Sequence, residues 1–291
     1  MTLASVIVPC QNVAPTIGDQ LDALARQDLS GEWEVVLVDD GSSDDTVEIA
    51  RSFAARLPAL RIVTNPAPRN VARARNLGVA HARADLLLFC DGDDVVDTSW
   101  ARHMLQAIEG RTVLAAGRSE VERLNPPWLS SARDAPQQHG LQQWTDPTYL
   151  PHAGGGNLAI SRWVLDRIGG FTEDDDLRLN EAVELCWRAQ LAEVPMVFVP
   201  DAIVHVRFRA SYRAIFRQAR GWAECSVALH RRFAAHGLPP PRWRRGLAGW
   251  LRVPVRLLTV RDRGALARWL HLLGWKVGRV GGSLRHRRLA F

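Results

Sequence analysis

Cysteine is scarce and scattered. Cys10, Cys90, Cys186 and Cys225 are the four in the chain, and no two of them form a CxxC pair. Neither a structural zinc site nor a disulfide framework is therefore indicated, and a reducing cytosol is the expected compartment. No uncharged apolar run approaches the roughly 18 residues that a membrane-spanning helix needs, and Met1 leads into Ser-Val-Ile-Val-Pro with no charged leader or long apolar stretch. Neither secretion nor membrane spanning is expected, and no internal repeat is visible. Acidic residues nearly vanish after position 206: residues 207–291 hold 2 Asp+Glu against 20 Lys+Arg, net +18, whereas residues 1–206 hold 29 against 17, net −12. The overall charge of +6 conceals an acidic body with a basic tail. Such tails meet phosphate-rich partners, anionic lipid or nucleic acid.

What is present is a hydrophobic content of 47% over 291 residues, enough for a globular core. Ser5 to Val8, Glu34 to Val38, Arg61 to Thr64 and Asp85 to Cys90 are short, nearly continuous β-branched or aliphatic runs, the pattern of strands buried on both faces. Between them, Ala14 to Gln27 places Ile17, Leu21, Leu24 and Ala25 on one face, and Thr46 to Leu57 repeats the device. Strands alternating with amphipathic helices predict right-handed crossovers and a mostly parallel sheet, with ligands beyond the strands' carboxyl ends. After Gly117 the pattern weakens, and Asn125 to Gly156 reads as a long loop over the sheet. Regularity returns at Ser161 to Ile168, Asn180 to Leu191, a short strand Met196 to Val199 and a basic helix Tyr212 to Phe233.

Two strand ends carry the chemistry. The second ends in VDDGSSDDT, where Gly41 permits a sharp turn, Ser42, Ser43 or Asp44 can cap the next helix, and Asp39 and Asp40 are either turn residues or ligand contacts. The fourth ends in FCDGDD, delivering Asp91, Asp93 and Asp94 within four residues. Their mutual repulsion is costly unless a cation is present. Oxygen donors of this kind suit Mg²⁺ or Mn²⁺, which complete their shells with water and substrate phosphates.

SVIVPCQNV, VDDGSSDDT, Ala74-Arg75-Asn76, FCDGDD, GGGNLA, GGF and ELCWR occur in the order seen in family 2 glycosyltransferases. The chain resembles that family over about residues 4–206. The resemblance implies an α/β GT-A fold, a single Rossmann-like domain (1–206) with a mostly parallel sheet, extended here by basic helices (207–291). It also implies transfer of a sugar from a nucleotide-diphosphate donor to an acceptor hydroxyl, with inversion at the anomeric carbon. Carried over by position, Pro9 and Asn12 match the nucleotide-cradling turn and Asp40 the base-contacting acid. Asp91 and Asp93 match the ribose-side and metal-binding acids, with Asp94 assisting the metal. Arg75 is either a charge near the diphosphate or a salt-bridged helix residue. Gly154, Gly155, Gly156 and Asn157 bring backbone close to the sugar or acceptor, or form a loop hinge. His205 is either a metal ligand or a hydrogen-bonded structural histidine. A sugar nucleotidyltransferase on a related sheet is disfavoured, because its Gly-rich, Lys-bearing N-terminal loop is missing.

One family position is broken. Registering Asn180 to Arg188 on ELCWR puts Ala182 where the family supplies its general base. Glu181 and Glu184 lie three apart on the predicted helix and are the replacements, Glu181 first. Asp174, Asp175 and Asp176 are further alternatives, and a nucleotide-sugar binder with weak or no transfer is the other function class. In the tail, Leu266, Leu270, Leu273, Val277 and Val280 recur at helical spacing beside Arg268, His271, Lys276 and Arg279. With Trp243, Trp250, Trp269 and Trp275 they predict a helix lying on anionic membrane or packed on the body or a partner chain. Nucleic-acid binding is not expected, since no recognition module accompanies the charge. The expected protein works in the cytoplasm, peripheral on the inner face of the cell membrane, on a glycan or lipid-linked acceptor.

Overall fold

A computed structural model describes residues 2–68, 70–133, 136–144 and 148–288, with the backbone alone at Trp243 and Arg245. The side chain of Trp243 therefore lies outside the described residues. The first half alternates as expected: β1 (Ser5–Cys10), α1 (Ala14–Ala25), β2 (Glu34–Asp39), α2 (Thr46–Ser52), β3 (Leu60–Thr64), α3 (Val71–His81) and β4 (Leu86–Cys90). Every residue of β1 and β2 is buried, because both faces of a parallel strand are covered by crossover helices. Helix α3 starts where the Asn70 side chain accepts from the amides of Ala72 (3.0 Å) and Arg73 (3.3 Å), a cap that satisfies two orphan donors. Helix α2 stops five residues short of the expected end. Ser52 Oγ donates back to the Ile49 carbonyl, and the Phe53 amide bonds three residues back, which unwinds the last turn.

The second half keeps the expected Asn125 to Gly156 loop, interrupted among the described residues by a single helical turn, has its two later helices where they were expected, and adds strands and a helix that were not. It contains β5 (Val95–Val96), α4 (Trp100–Ile108), β6 (Leu114–Glu120), the single turn α5 (Pro127–Ser130), β7 (Asn157–Ser161), α6 (Arg162–Ile168) and α7 (Glu181–Leu191). Strand β8 (Met196–His205) is longer than the expected Met196 to Val199, because a register irregularity between Gly117 and Arg118 of β6 lets it continue past Pro200. The eight strands form one sheet in the order β3-β2-β1-β4-β7-β6-β8-β5. Strands β1 to β4 pair in parallel, as do β6 and β8, whereas β7 runs against both β4 and β6, and β5 runs against β8. One core cluster lies between one sheet face and helices α1 and α4, and a second between the other face and α6 and α7.

The basic tail forms α8 (Tyr212–Phe233), α9 (Trp243–Leu258) and α10 (Arg263–Arg285). Helix α8 has the expected bounds. Phe233 packs edge-on against Trp187 of α7, with centroids 5.1 Å apart, and Ile215 joins Leu129, Phe208 and Ala267 in a shared cluster. The tail is thus fused to the body. The face of α10 that is buried differs from the predicted one: Leu266, Leu270, Leu273, Val277 and Val280 are half-buried, while Gly274, Gly278 and Gly282 are fully buried against α8. A Cβ at Gly278 would stand 2.1 Å from the Arg220 carbonyl and one at Gly274 2.5 Å from that of Phe216. Only glycine permits this approach. Gly278→Ala is accordingly expected to lower stability by about 1–3 kcal/mol through overpacking. A denaturant midpoint unchanged from wild type would show that α10 does not seat on α8 in this way.

Candidate functional site

The acidic turn after β4 is held from two sides. Gln20 is fully buried on the apolar face of α1. Its Nε2 donates to the Asp91 carbonyl (2.9 Å) and its Oε1 accepts from the Val96 amide (3.0 Å), so one side chain pins both ends of the turn. On the other side, Val95 of β5 pairs with His205 of β8, which brings the chain just beyond β8 onto the acids. The Arg207 amide donates to Asp94 Oδ1 (2.8 Å), Arg207 Nε donates to the Asp93 carbonyl (3.1 Å), and Arg209 Nη2 lies 3.3 Å from Asp93 Oδ2. Burial, with repulsion from Asp91, raises the pKa of Asp93, the two arginines opposing it; burial, Asp93 and Asp91 push Asp94 further up.

Arg75 of α3 is the hub beside them. Its guanidinium donates to Asp91 Oδ1 (2.8 Å) and to Glu181 Oε1 (2.6 Å) and stacks 5.5 Å from the centre of the Phe171 ring. Burial works against its charge, but Asp91 and Glu181 more than offset it. Losing one partner of such a buried pair costs about 3–5 kcal/mol, since the other charge is left uncompensated. Burial also raises the pKa of Glu181, with Arg75 as the main opposing influence. The loop after residue 153 runs close over this hub. A Cβ at Gly155 would meet the Arg75 guanidinium at 2.6 Å and one at Gly156 would meet Asp91 Oδ2 at 2.5 Å. The two glycines therefore let backbone cover the ion pairs.

These residues converge on one cleft of about 490 Å³, lined by Arg75, Asp91, Asp93, Asp94, Gly155, Asn157, Glu181 and Ala182. Trp144 from the long loop, Trp222 of α8 and Trp275 of α10 line it as well, with Arg133, Arg178 and Arg209. Gln20, Arg207, Arg209, Trp144 and Trp222 were not expected here, and Trp275, expected on a membrane-facing or packed tail helix, lines the cleft instead. Only Arg207 and Arg209, alternating just beyond a strand, carried a local signal.

Other expected residues sit elsewhere. Pro9 is buried in β1 against Val38. Asn12 has φ +52°, and its side chain accepts from the Ser43 amide (2.8 Å), tying two loops at the strands' carboxyl edge. Asp40 lies at the same edge, where Asn65 Nδ2 donates to its Oδ1 (2.6 Å). None of the three is among the residues lining the cleft. Asn157 reaches the cleft, but its amide is engaged with Trp100 Nε1, the Arg118 carbonyl and the Ala202 carbonyl. Glu184 is turned away: fully buried, it accepts from Arg188 (2.7 Å) and pairs with Arg232 of α8 (3.2 Å). Asp174, Asp175 and Asp176 are likewise engaged, with Arg232, Asn70 and Arg285 respectively. His205 does not join the acids either. Its Nδ1 lies 2.5 Å from Oε2 of Glu120, which β6 holds in register beside it, and its Nε2 faces Asp97 at 3.9 Å. Burial pushes the Glu120 carboxyl up, but His205 and two backbone amides hold it below its ordinary value.

Among the described residues, no three His, Cys, Asp or Glu side chains are grouped to hold a metal ion by themselves. The donor chemistry still fits Mg²⁺ or Mn²⁺. Asp91 and Asp93 border open volume, the raised Asp93 and Asp94 are acids whose charge a cation would relieve, and these ions need few protein carboxylates.

The sequence model of Glycosyl transferase family 2 matches residues 5–169. The chain belongs to this family. Validoxylamine A glucosyltransferase of Streptomyces hygroscopicus subsp. jinggangensis is 30% identical over 222 residues, 67% of this chain and 53% of that protein. Glycosyltransferase AglE of Haloferax volcanii is 28% identical over 244 residues, 80% of this chain and 79% of that protein. The chain spans about half, or less, of the first curated relatives it matches, at 30% of EpsJ of Bacillus subtilis and 53% of the Streptomyces protein. Among solved structures, mannosyltransferase PcManGT from Pyrobaculum calidifontis, in complex with GDP-Man and Mn2+, superposes with a TM-score of 0.64 at 20% identity, covering 95% of this chain and 86% of that one. TarS 1–349 of S. aureus with UDP-GlcNAc gives 0.56 at 17% identity, covering 99% and 93%. These likenesses establish the GT-A fold of the family 2 chain.

Proposed function

We propose that this family 2 chain is an inverting, metal-dependent glycosyltransferase that moves a sugar from a nucleoside diphosphate to an acceptor hydroxyl in polysaccharide or glycolipid synthesis, in the cytoplasm at the inner membrane face. The observation that carries the reading is the meeting of Asp91, Asp93, Asp94, Arg75 and Glu181 in one cleft at the carboxyl edge of the sheet, where α/β proteins bind ligands. Asp40, braced by Asn65, is the group for the nucleotide base, and Asp91 for the ribose side. Asp93, with Asp94 behind it, would hold Mg²⁺ or Mn²⁺, which when bound stabilises charge on the departing diphosphate. Glu181 takes the proton of the acceptor hydroxyl while the hydroxyl oxygen bonds to the anomeric carbon. The bond from that carbon to the diphosphate breaks, and its electron pair leaves with the nucleotide. Trp222 and Trp275 offer flat apolar faces to a glycan or lipid-linked acceptor.

Calorimetry with UDP- and GDP-sugars, with and without Mn²⁺, tests the donor half. Wild type is expected to bind one donor more tightly with Mn²⁺, and Asp93→Asn to lose that increment, at least about tenfold in Kd. Equal affinity with and without the metal would remove metal dependence from the proposal. A second reading, a nucleotide-sugar binder with little transfer, is favoured by Ala182, which lines the cleft where the family carries its base.

A further inference from the structure

Helix α9 is the least covered element of the tail. Leu247, Leu251, Val255 and Leu258 are 48%, 72%, 61% and 84% exposed, and with Leu257 they make up five of the nine exposed large apolar side chains among the described residues. Their spacing of four, four and three places the four on one helix face, within an arc of about 100°. The opposite face is the one in use. Val253 is buried, its carbonyl accepts from Trp269 Nε1 of α10 (2.8 Å), and the Gly246 carbonyl accepts from Lys276 Nζ (3.0 Å). Apolar surface of this extent in water marks an interaction site.

The charge around the stripe selects the partner. Residues 242–261 contain six arginines and no Asp or Glu, and Arg252 is exposed beside the stripe. A second copy of this chain, docked face to face, would bring like charges together across the twofold axis. Nucleic acid would meet the arginines and leave the leucines in water. An anionic bilayer satisfies both, with acyl chains for the leucines and headgroup phosphates for the guanidinium groups. No described helix is long and apolar enough to cross a membrane, and sixteen residues of α9 extend only about 24 Å, so the fit is in the plane of the surface.

We propose that α9 seats the protein on anionic lipid through Leu247, Leu251, Val255 and Leu258, with Arg252 on the headgroups. Helix α10 connects this contact to the cleft: one side of it carries α9, and its Trp275 lines the cleft wall. A lipid-held acceptor would then meet the cleft beside the helix that holds the protein down. The surface contact stands apart from the chemistry of the cleft, so each is tested by itself.

The full chain is sedimented with vesicles of phosphatidylcholine alone and with vesicles containing an equal share of phosphatidylglycerol. Wild type is expected to sediment with the anionic vesicles and to stay in the supernatant with the neutral ones. The double variant Leu251→Asp/Leu258→Asp loses at least about tenfold in partition, and Arg252→Gln loses about fivefold, while Mn²⁺-dependent donor binding, measured separately, is unchanged. The proposal is overturned if wild type ignores anionic vesicles, if the double variant sediments like wild type, or if wild type is a dimer that the double variant dissociates, which would make the stripe an interface between copies.

Discussion

Glu181→Gln is expected to lower sugar transfer by roughly 10²- to 10⁴-fold, the range for loss of a general base, with donor affinity and fold retained. Gln keeps an oxygen to accept from Arg75 Nη1, so the buried hub of Arg75, Asp91 and position 181 stays hydrogen-bonded. What is lost is the capacity to take a proton. Burial raises the pKa of Glu181 and Arg75 counters it, so in wild type the rate should fall with acid, as the base is protonated, at a pH above that of an ordinary glutamate. Ala182→Asp supplies the complementary measurement, because position 182 lines the same cleft. Added to Glu181→Gln, it is expected to restore part of the lost transfer. Should Glu181→Gln transfer at the wild-type rate, Glu181 is not the base. Should wild type show no transfer and Ala182→Asp alone create it, the nucleotide-sugar binder is the correct reading.

Acid should weaken the junction between body and tail. His230 of α8 and His152 of the long loop are 1% and 7% exposed, and both rings contact Trp144, at 5.9 and 5.8 Å between centroids. His230 Nε2 and His152 Nδ1 have no hydrogen-bond partner among the described residues. Burial holds His152 down to about 4; burial, then Arg279 and Arg288, hold His230 down to about 3. A histidine whose folded pKa is depressed binds its proton more readily in the unfolded chain. Stability is therefore intact above the unfolded value near 6.5 and is lost as pH falls below it. At pH 5 each histidine costs roughly 2 kcal/mol relative to pH 7.5. Asp93, Asp94 and Glu181, whose folded values are raised, act in the opposite sense, so the informative quantity is a difference. His230→Leu is expected to lose roughly 2 kcal/mol less than wild type between pH 7.5 and 5 in urea unfolding. Identical losses for the two proteins would remove His230 as the source.

Much of the first half was legible in the sequence, because parallel strands buried on both faces are written as unbroken apolar runs and their acidic ends stand out. Helix α8 could be read to the residue, since Ser211 caps its start and its apolar period is regular. Strands β6 and β7 were not legible. LAAGRSE and NLAIS are built from small residues that derive their stability from neighbouring strands rather than from propensity. The site divided along the same line. The turn of Asp91, Asp93 and Asp94 is local in sequence, whereas Gln20, Arg207, Arg209, Trp222 and Trp275 reach it through tertiary structure. Periodicity placed Glu181 and Glu184 within reach of one another, but Arg188 and Arg232 turn Glu184 into a brace between α7 and α8. In α10 the glycines, rather than the leucines, mark the buried face, because packing there is set by how closely two backbones approach.

The glycine seam between α8 and α10 also bears on how the protein matures on the ribosome. The acidic turn, Arg75 and Glu181 are all synthesised well before Trp275, so the sheet with its carboxylates can form while one wall of the cleft is still missing. That wall arrives when Gly274 and Gly278 slide against the carbonyls of Phe216 and Arg220. The cleft thus stays open on that side until α10 has been made, and the leucines of α9, which precede it in the chain, emerge before the wall is in place.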